Sequence, residues 1–317
     1  MAQHTVVFLD RDSLKAKVRK PAQAERYVEH AKTSADEIVA KLQDATVAIT
    51  NKVPLRADTL KQLPQLKMIA VAATGYDVVD VPHCKEAGIA VANIRNYAVH
   101  TVPEHAFALI LALRRNLLAY RADVEAGVWQ KSDQFCFFTH DIGDLHGATL
   151  GIIGEGAIGQ GSAAIARGFG MKVLFADHEP PKMPGVEFTP LDTVLAESDV
   201  ISLHCPLIDA TRNLIGLREM RRMKRTAILV NTSRGGLVDE GALIQALDEG
   251  LIAGAGFDVL TTEPPKNGHP LLEVRRHNFI LTPHVAWASD GAMQFLADQL
   301  IDNIDAWAAG KPQHLVT

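Results

Sequence analysis

Cysteine is scarce in this 317-residue chain: Cys84, Cys136 and Cys205 are widely spaced and odd in number. That pattern supports neither a disulfide framework nor a zinc knuckle, and it predicts reduced thiols in the cytoplasm with no metal site. Long apolar runs are missing too. The longest, residues 106–113, is far too short to span a bilayer, so no membrane is expected as a partner. The opening MAQHTVVFLDRD has no basic segment, extended apolar core or small-residue cleavage site, so no leader is expected there. Excess positive charge is absent. A net charge of −5 argues against nucleic acid as a partner. No repeat of fixed period and no low-complexity tract occurs. What is present is a globular composition, 47% hydrophobic and 22% charged, in a chain long enough for two domains with separate cores.

Two α/β regions follow one another. In the first, the β-type runs TVVFL, ATVAIT, LKMIAVAAT and IAVANI are separated by helical segments. TVPEHAFALILALRRNLLAY, residues 101–120, predicts one long helix, with Pro103 and Glu104 suited to its first turn. The aromatic stretch EAGVWQKSDQFCFFTHDIGDLHG predicts a loop that packs against something, such as another subunit. In the second region, strands are predicted at TLGIIG, KVLFAD, DVISLHC, TAILVNT, AGAGFDV and NFILT. Helices lie between several of them, including one with Asp239 as N-cap and Gly250 as its stop. Alternation of this kind predicts a parallel sheet covered on both faces. A last amphipathic helix, DGAMQFLADQLIDNIDAWAAG, follows Trp287.

GIIGEGAIGQ contains Gly154-x-Gly156-x-x-Gly159 between a predicted strand and helix, with a second strand ending at Asp177. The three glycines suit, in turn, a tight turn, close approach of a pyrophosphate, and packing of helix on strand. The helix start at Ala157 and Ile158 offers free N–H groups to phosphate. Asp177, eighteen residues past Gly159, is placed to accept from an adenosine ribose. Its charge repels a 2′-phosphate and favours NAD over NADP. The residues after it, His178, Glu179, Pro180, Pro181 and Lys182, contain no arginine, and Lys182 leaves NADP use open.

A histidine at a strand exit is, by itself, most often a surface or satisfied core residue. His284, in LTPHVAWAS, has two candidate partners at other strand exits, where parallel sheets bind ligands. Arg234, in NTSRGGLVD, offers a fork for a carboxylate or merely caps a strand. Glu263, in FDVLTTEPP, is a partner for a histidine or an exposed loop glutamate.

The order of these motifs, with VAATGYDVVD and TVPEHAFAL before them, resembles the D-isomer-specific 2-hydroxyacid dehydrogenases over essentially the whole chain. The resemblance implies that Arg234, Glu263 and His284 are catalytic. It implies a doubly wound Rossmann NAD-binding domain, residues 99–283, inserted into a flavodoxin-like substrate domain of residues 1–98 and 284–317. The active site is then expected in the cleft, and a homodimer through the nucleotide-binding domain. The implied reaction is hydride transfer between NAD(H) and a small 2-oxo or 2-hydroxy acid. Arg234 holds the carboxylate, His284 gives the proton, and Glu263 fixes the ring and favours its protonated form. Thr74, Gly75 and Asn96 match substrate-binding positions. Thr101, Pro206, Thr232 and Asp258 match cofactor-lining ones, with Asp258 near the nicotinamide carboxamide.

The Trp287 form of the last motif, after TTEPP, resembles the glycerate dehydrogenase and hydroxypyruvate reductase branch, with glyoxylate as an alternative substrate. Trp287 either crowds the pocket, favouring small substrates, or packs at the hinge. Another 2-hydroxy acid such as D-lactate, or a co-repressor-like NAD-binding role on the same fold, is the alternative. Glu263 argues against the formate-oxidising branch, and the lack of a regulatory domain against the long phosphoglycerate dehydrogenases. Two residues depart from the family pattern. Pro103 replaces a common alanine, and Glu155 brings a charge that is unfavourable near phosphate unless it points to solvent.

Overall fold

The computed structural model describes residues 4–178 and 182–317. The chain divides into two compact units, one formed by Met1–Tyr97 with Ala288–Thr317, the other by Ala98–Trp287. Sequence reading put the divisions after residues 98 and 283. Residues 284–287 stay with the second unit because the buried Asp258 carboxylate holds them, accepting from Val285 N at 3.0 Å and Ala286 N at 2.7 Å.

In the first unit five parallel strands, β1 (His4–Phe8), β2 (Ala24–Glu29), β3 (Val47–Thr50), β4 (Met68–Val71) and β5 (Ala90–Ala92), lie in the order β2-β1-β3-β4-β5. This is the flavodoxin-like order. Four strands coincide with the apolar runs. β2, AERYVE, was not anticipated, because it is an edge strand whose Glu25, Arg26 and Glu29 face solvent, and charge on an edge blocks further pairing. Helix Asp290–Ala308 belongs to this unit. Ser289 caps it, accepting from Ala292 N, and Met293, Leu296, Ala297, Leu300, Ile301 and Ile304 form its buried stripe at three- and four-residue spacing.

The second unit contains seven parallel strands: β6 (Thr149–Ile153), β7 (Lys172–Ala176), β8 (Phe188–Thr189), β9 (Val200–Leu203), β10 (Ile228–Asn231), β11 (Gly254–Phe257) and β12 (Phe279–Leu281). Their order, β12-β11-β10-β9-β6-β7-β8, reverses direction between β6 and β9, which makes that edge the topological switch point of a doubly wound sheet. β6, β9, β10 and β11 are buried almost throughout, as expected of strands covered on both faces. Glycines allow the covering helices to come close. A Cβ on Gly256 would lie 3.0 Å from Leu109 Cβ, and one on Gly161 would lie 2.9 Å from Pro103 Cγ. Pro103 is thus a packing surface for helix Ala157–Gly168.

The long helix predicted over residues 101–120 is two helices, Thr101–Arg114 and Leu117–Glu125. Asn116 between them is left-handed, with φ 47°, a conformation asparagine tolerates better than most residues. The stretch after Glu125 carries Phe135 and Phe138, which are 89% and 86% exposed.

Candidate active site

Gly154 ends β6 in a left-handed conformation, φ 104°, and a Cβ there would come within 2.5 Å of Cys205 N at the exit of β9. A Cβ on Gly159 would lie 2.0 Å from Gly154 O, so helix and turn meet backbone to backbone. Gly156 is different: its Cβ position opens onto free space, and no side chain caps the helix that starts at Ala157. The N–H groups of Ala157 and Ile158 therefore face an open approach, which suits an anion at a helix N-terminus. Nearby in the sheet order, the Thr232 hydroxyl at the exit of β10 is buried with no hydrogen-bond partner among the described residues. Open space, uncapped donors and an orphaned hydroxyl fit a dinucleotide.

His204 secures this end of the sheet. Its Nε2 lies 3.0 Å from both Ser162 Oγ on the glycine-loop helix and Ser202 Oγ on β9. Burial pushes its pKa down to about 4, so the ring stays neutral. Asp177 follows β7 and is exposed. It pairs with Lys182, which holds the carboxyl below its usual range, assisted by His178 N. Glu155 points neither to solvent nor into the open space over Gly156. It accepts from Met183 N at 3.2 Å and meets His178 Nε2 at 2.9 Å. Glu179, Pro180 and Pro181 lie outside the described residues. Pro206 is exposed after β9, and its carbonyl accepts from Thr211 Oγ1.

Arg234, Glu263 and His284 stand past β10, β11 and β12, which are adjacent strands. His284 Nδ1 lies 2.5 Å from Glu263 Oε2, with the two side chains 26% and 33% exposed. Nε2 makes no hydrogen bond among the described residues and is the nitrogen left for a substrate. The backbone of His284 is left-handed, φ 56°. Its N–H donates to Thr282 O, its carbonyl accepts from Trp287 Nε1 at 3.0 Å, and the next two N–H groups end on Asp258. Four bonds thus hold a backbone conformation that costs about 1 kcal/mol or more. Arg234 is exposed, and among the described residues its side chain is bonded through Nη1 alone, to Ser233 O at 2.8 Å, which leaves most of its fork available. Gly235 lets this turn approach the Glu263 loop: a Cβ there would sit 2.0 Å from Leu260 C.

Two of the expected cofactor-lining residues also brace the backbone around His284. Asp258 is fully buried, and its oxygens are taken by Thr282 Oγ1 at 2.5 Å and by the two N–H groups after His284. It thereby holds the backbone that follows His284. The Thr101 hydroxyl donates to Ala286 O at 3.2 Å. In the first unit, Thr74 Oγ1 donates to Ile94 O and Thr74 O accepts from Asn93 Nδ2, which fixes the turn after β4. The N–H groups of Thr74 and Gly75 make no hydrogen bond among the described residues. Asn96 is left-handed, φ 61°.

Sequence reading missed the residues that brace this site: His105, whose Nε2 lies 3.0 Å from Thr282 Oγ1, and Glu240, Thr261 and His269 beside the Glu263 loop. Glu240 was legible only as an ordinary acid in a helix's first turn.

Residues 107–286 match the family model described as the D-isomer specific 2-hydroxyacid dehydrogenase, NAD binding domain. The chain is 56% identical over 312 residues to a glycerate dehydrogenase of Methylorubrum extorquens, covering 98% of each. It is 38% identical to a hydroxypyruvate reductase of Blautia hydrogenotrophica, covering 90% of this chain and 88% of that one. Among solved structures, an acyclic imino acid reductase in complex with NADPH and D-Arg superposes with a TM-score of 0.86 at 28% identity, over 99% of this chain and all of that one. The open glycine turn, the doubly wound sheet and these likenesses lead to one conclusion: the chain belongs to the D-isomer specific 2-hydroxyacid dehydrogenase family and is an NAD-dependent oxidoreductase of 2-hydroxy acids.

Proposed function

We propose that the chain reduces hydroxypyruvate and glyoxylate to D-glycerate and glycolate, and catalyses the reverse reactions, with Arg234, Glu263 and His284 as its catalytic residues. The observation that carries this reading is the His284–Glu263 pair, bonded through Nδ1 with Nε2 left for substrate. NADH, when bound, supplies the hydride. Gly154, Gly156, Ala157, Ile158 and Gly159 hold its pyrophosphate, Asp177 its adenosine ribose, and Pro206 and Thr232 line its path. Lys182 sits on Asp177 and offers a cation to a 2′-phosphate, so NADPH remains a second cofactor.

Arg234 takes the substrate carboxylate in two parallel hydrogen bonds and polarises the adjoining carbonyl. His284 Nε2 gives its proton to the carbonyl oxygen as negative charge develops there, and the Glu263 carboxylate balances the imidazolium. The N–H groups of Thr74 and Gly75, unbonded among the described residues, suit a substrate carboxylate, with Asn96 as a further donor. The Trp287 indole beside the His284 carbonyl favours substrates with small side chains. In this reading Met1–Tyr97 with Ala288–Thr317 is the substrate domain and Ala98–Trp287 the nucleotide domain.

The exposed apolar side chains of Leu117, Trp129, Phe135, Phe138 and Ile142 suit burial against a second copy of the nucleotide domain, as a homodimer. Cys84, Cys136 and Cys205 are free thiols, which suits the cytoplasm. No helix among the described residues is long and apolar enough to cross a membrane.

The test is kcat/KM for hydroxypyruvate, glyoxylate and pyruvate with NADH and with NADPH. Hydroxypyruvate with NADH is expected to rank first. Pyruvate ranking first would replace the proposed substrate by D-lactate chemistry.

A further inference from the structure

A second histidine–glutamate pair lies in the same unit. Glu240 starts helix Glu240–Asp248, and its side chain is 11% exposed. Its Oε1 accepts from Thr261 N at 2.9 Å, and its Oε2 accepts from Thr261 Oγ1 at 2.6 Å and from His269 Nε2 at 2.9 Å. The geometry fixes the tautomer of His269. Its Nδ1 accepts from Leu271 N at 3.3 Å, so Nε2 carries the hydrogen that Glu240 receives. Both ring nitrogens are thus used, and this pair has no free group for a substrate.

Its position relative to the catalytic carboxylate gives it a function. Thr261 is two residues before Glu263, on the loop that follows β11, and residues 261–264 of that loop are exposed. Within the loop, Glu263 Oε1 accepts from Leu260 N at 2.7 Å, while Oε2 meets His284. Glu263 therefore holds the ring only as well as the loop backbone is itself held. Gly235 supplies one support, by backbone contact at Leu260 and Thr261. Glu240 supplies another, with two charge-assisted hydrogen bonds to Thr261.

We propose that Glu240 is a positioning residue for proton transfer: anchored by His269, it holds Thr261 and thereby places Glu263 against the ring of His284. The inference rests on the roles read above for Glu263 and His284. A carboxylate displaced by about 1 Å lets the imidazole turn away from the carbonyl oxygen, a misplacement that costs up to ~10²-fold in rate. Binding of substrate carboxylate by Arg234 is untouched, so the loss falls on kcat and not on KM.

The experiment is a double-mutant cycle, read as kcat for hydroxypyruvate reduction at saturating NADH. Glu240→Ala in the native sequence should lower kcat about tenfold or more with KM nearly constant. In a Glu263→Gln background, where the ring has already lost its charged partner, the same change should cost less than about twofold. Equal factors in both backgrounds overturn the proposal, because the effect would then not pass through Glu263. If Glu240→Ala does not fold, Thr261→Val takes its place in the cycle, and Thr261→Ser, which keeps the hydroxyl, should recover most of the lost rate. Failure of serine to recover it overturns the proposal equally. The reading of the site fails separately: Glu263→Gln as active as the native protein would reject Glu263 as the catalytic partner of His284, and no turnover by the native protein would reject the proposed substrate, before any question of Glu240 arises.

Discussion

His284–Glu263 and His269–Glu240 are the same two residue types in the same unit, and they differ in what is left over. The first pair is partly exposed and leaves His284 Nε2 without a bond among the described residues. The second is nearly buried, and both nitrogens of His269 are engaged. A free nitrogen at a strand exit permits proton transfer, whereas a ring bonded on both sides can only hold its neighbours in place. The contrast teaches that pairing alone does not distinguish the two histidines; a partly exposed, unbonded nitrogen opposite a carboxylate does.

The largest effect should come from removing that nitrogen. His284→Ala should lower kcat for reduction by at least ~10², while NADH binding, measured by fluorescence titration, survives. His269→Ala should cost clearly less. Equal losses at the two positions would erase the distinction between them. Arg234→Lys comes next. Lysine keeps the charge but not the fork, so KM for hydroxypyruvate should rise about tenfold or more and kcat should fall with it. An unchanged KM would remove Arg234 from the substrate carboxylate.

A third ring extends the comparison to one held by hydroxyls alone. His204 titrates near 4 because burial disfavours its charge, against 6.5 in an exposed chain. Between those values the unfolded chain binds the proton and the folded one does not. The stability this ring contributes is therefore present above pH 6.5 and is lost as pH falls toward 4. Unfolding free energies from urea titration across that window should fall more steeply for the native protein than for His204→Asn, by up to about 1.4 kcal/mol per pH unit. Parallel slopes would show that the ring is solvated. The smallest effect is expected at Asp177, whose carboxylate already pairs with Lys182. Asp177→Ser should weaken NADH use and improve NADPH use, narrowing their kcat/KM ratio by several-fold. A native preference for NADPH would contradict the reading of Asp177.

What the sequence made legible was local. Alternating apolar runs and helices marked four strands of the first sheet and most of the second, and glycines at fixed spacing marked the turn after β6. Edge strand β2 escaped because its side chains are charged, and the break at Asn116 because apolar periodicity continues on both sides of it. At the site, Glu263 and His284 are 21 residues apart, the same separation as Glu240 and Thr261. One pairing was expected because family resemblance pointed to it. The other has no period, motif or local spacing, since it forms only when strand exits from different parts of the chain are brought side by side. The bonds from Asp258 to the backbone after His284 were hidden for the same reason.

The central claim, that this architecture performs D-specific reduction of hydroxypyruvate with NADH, is tested most directly by the product. The native protein is incubated with hydroxypyruvate and NADH, NADH loss is followed at 340 nm, and the glycerate formed is resolved by chiral chromatography. One D-glycerate should form for each NADH consumed. No NADH loss, or L-glycerate as the product, would contradict it.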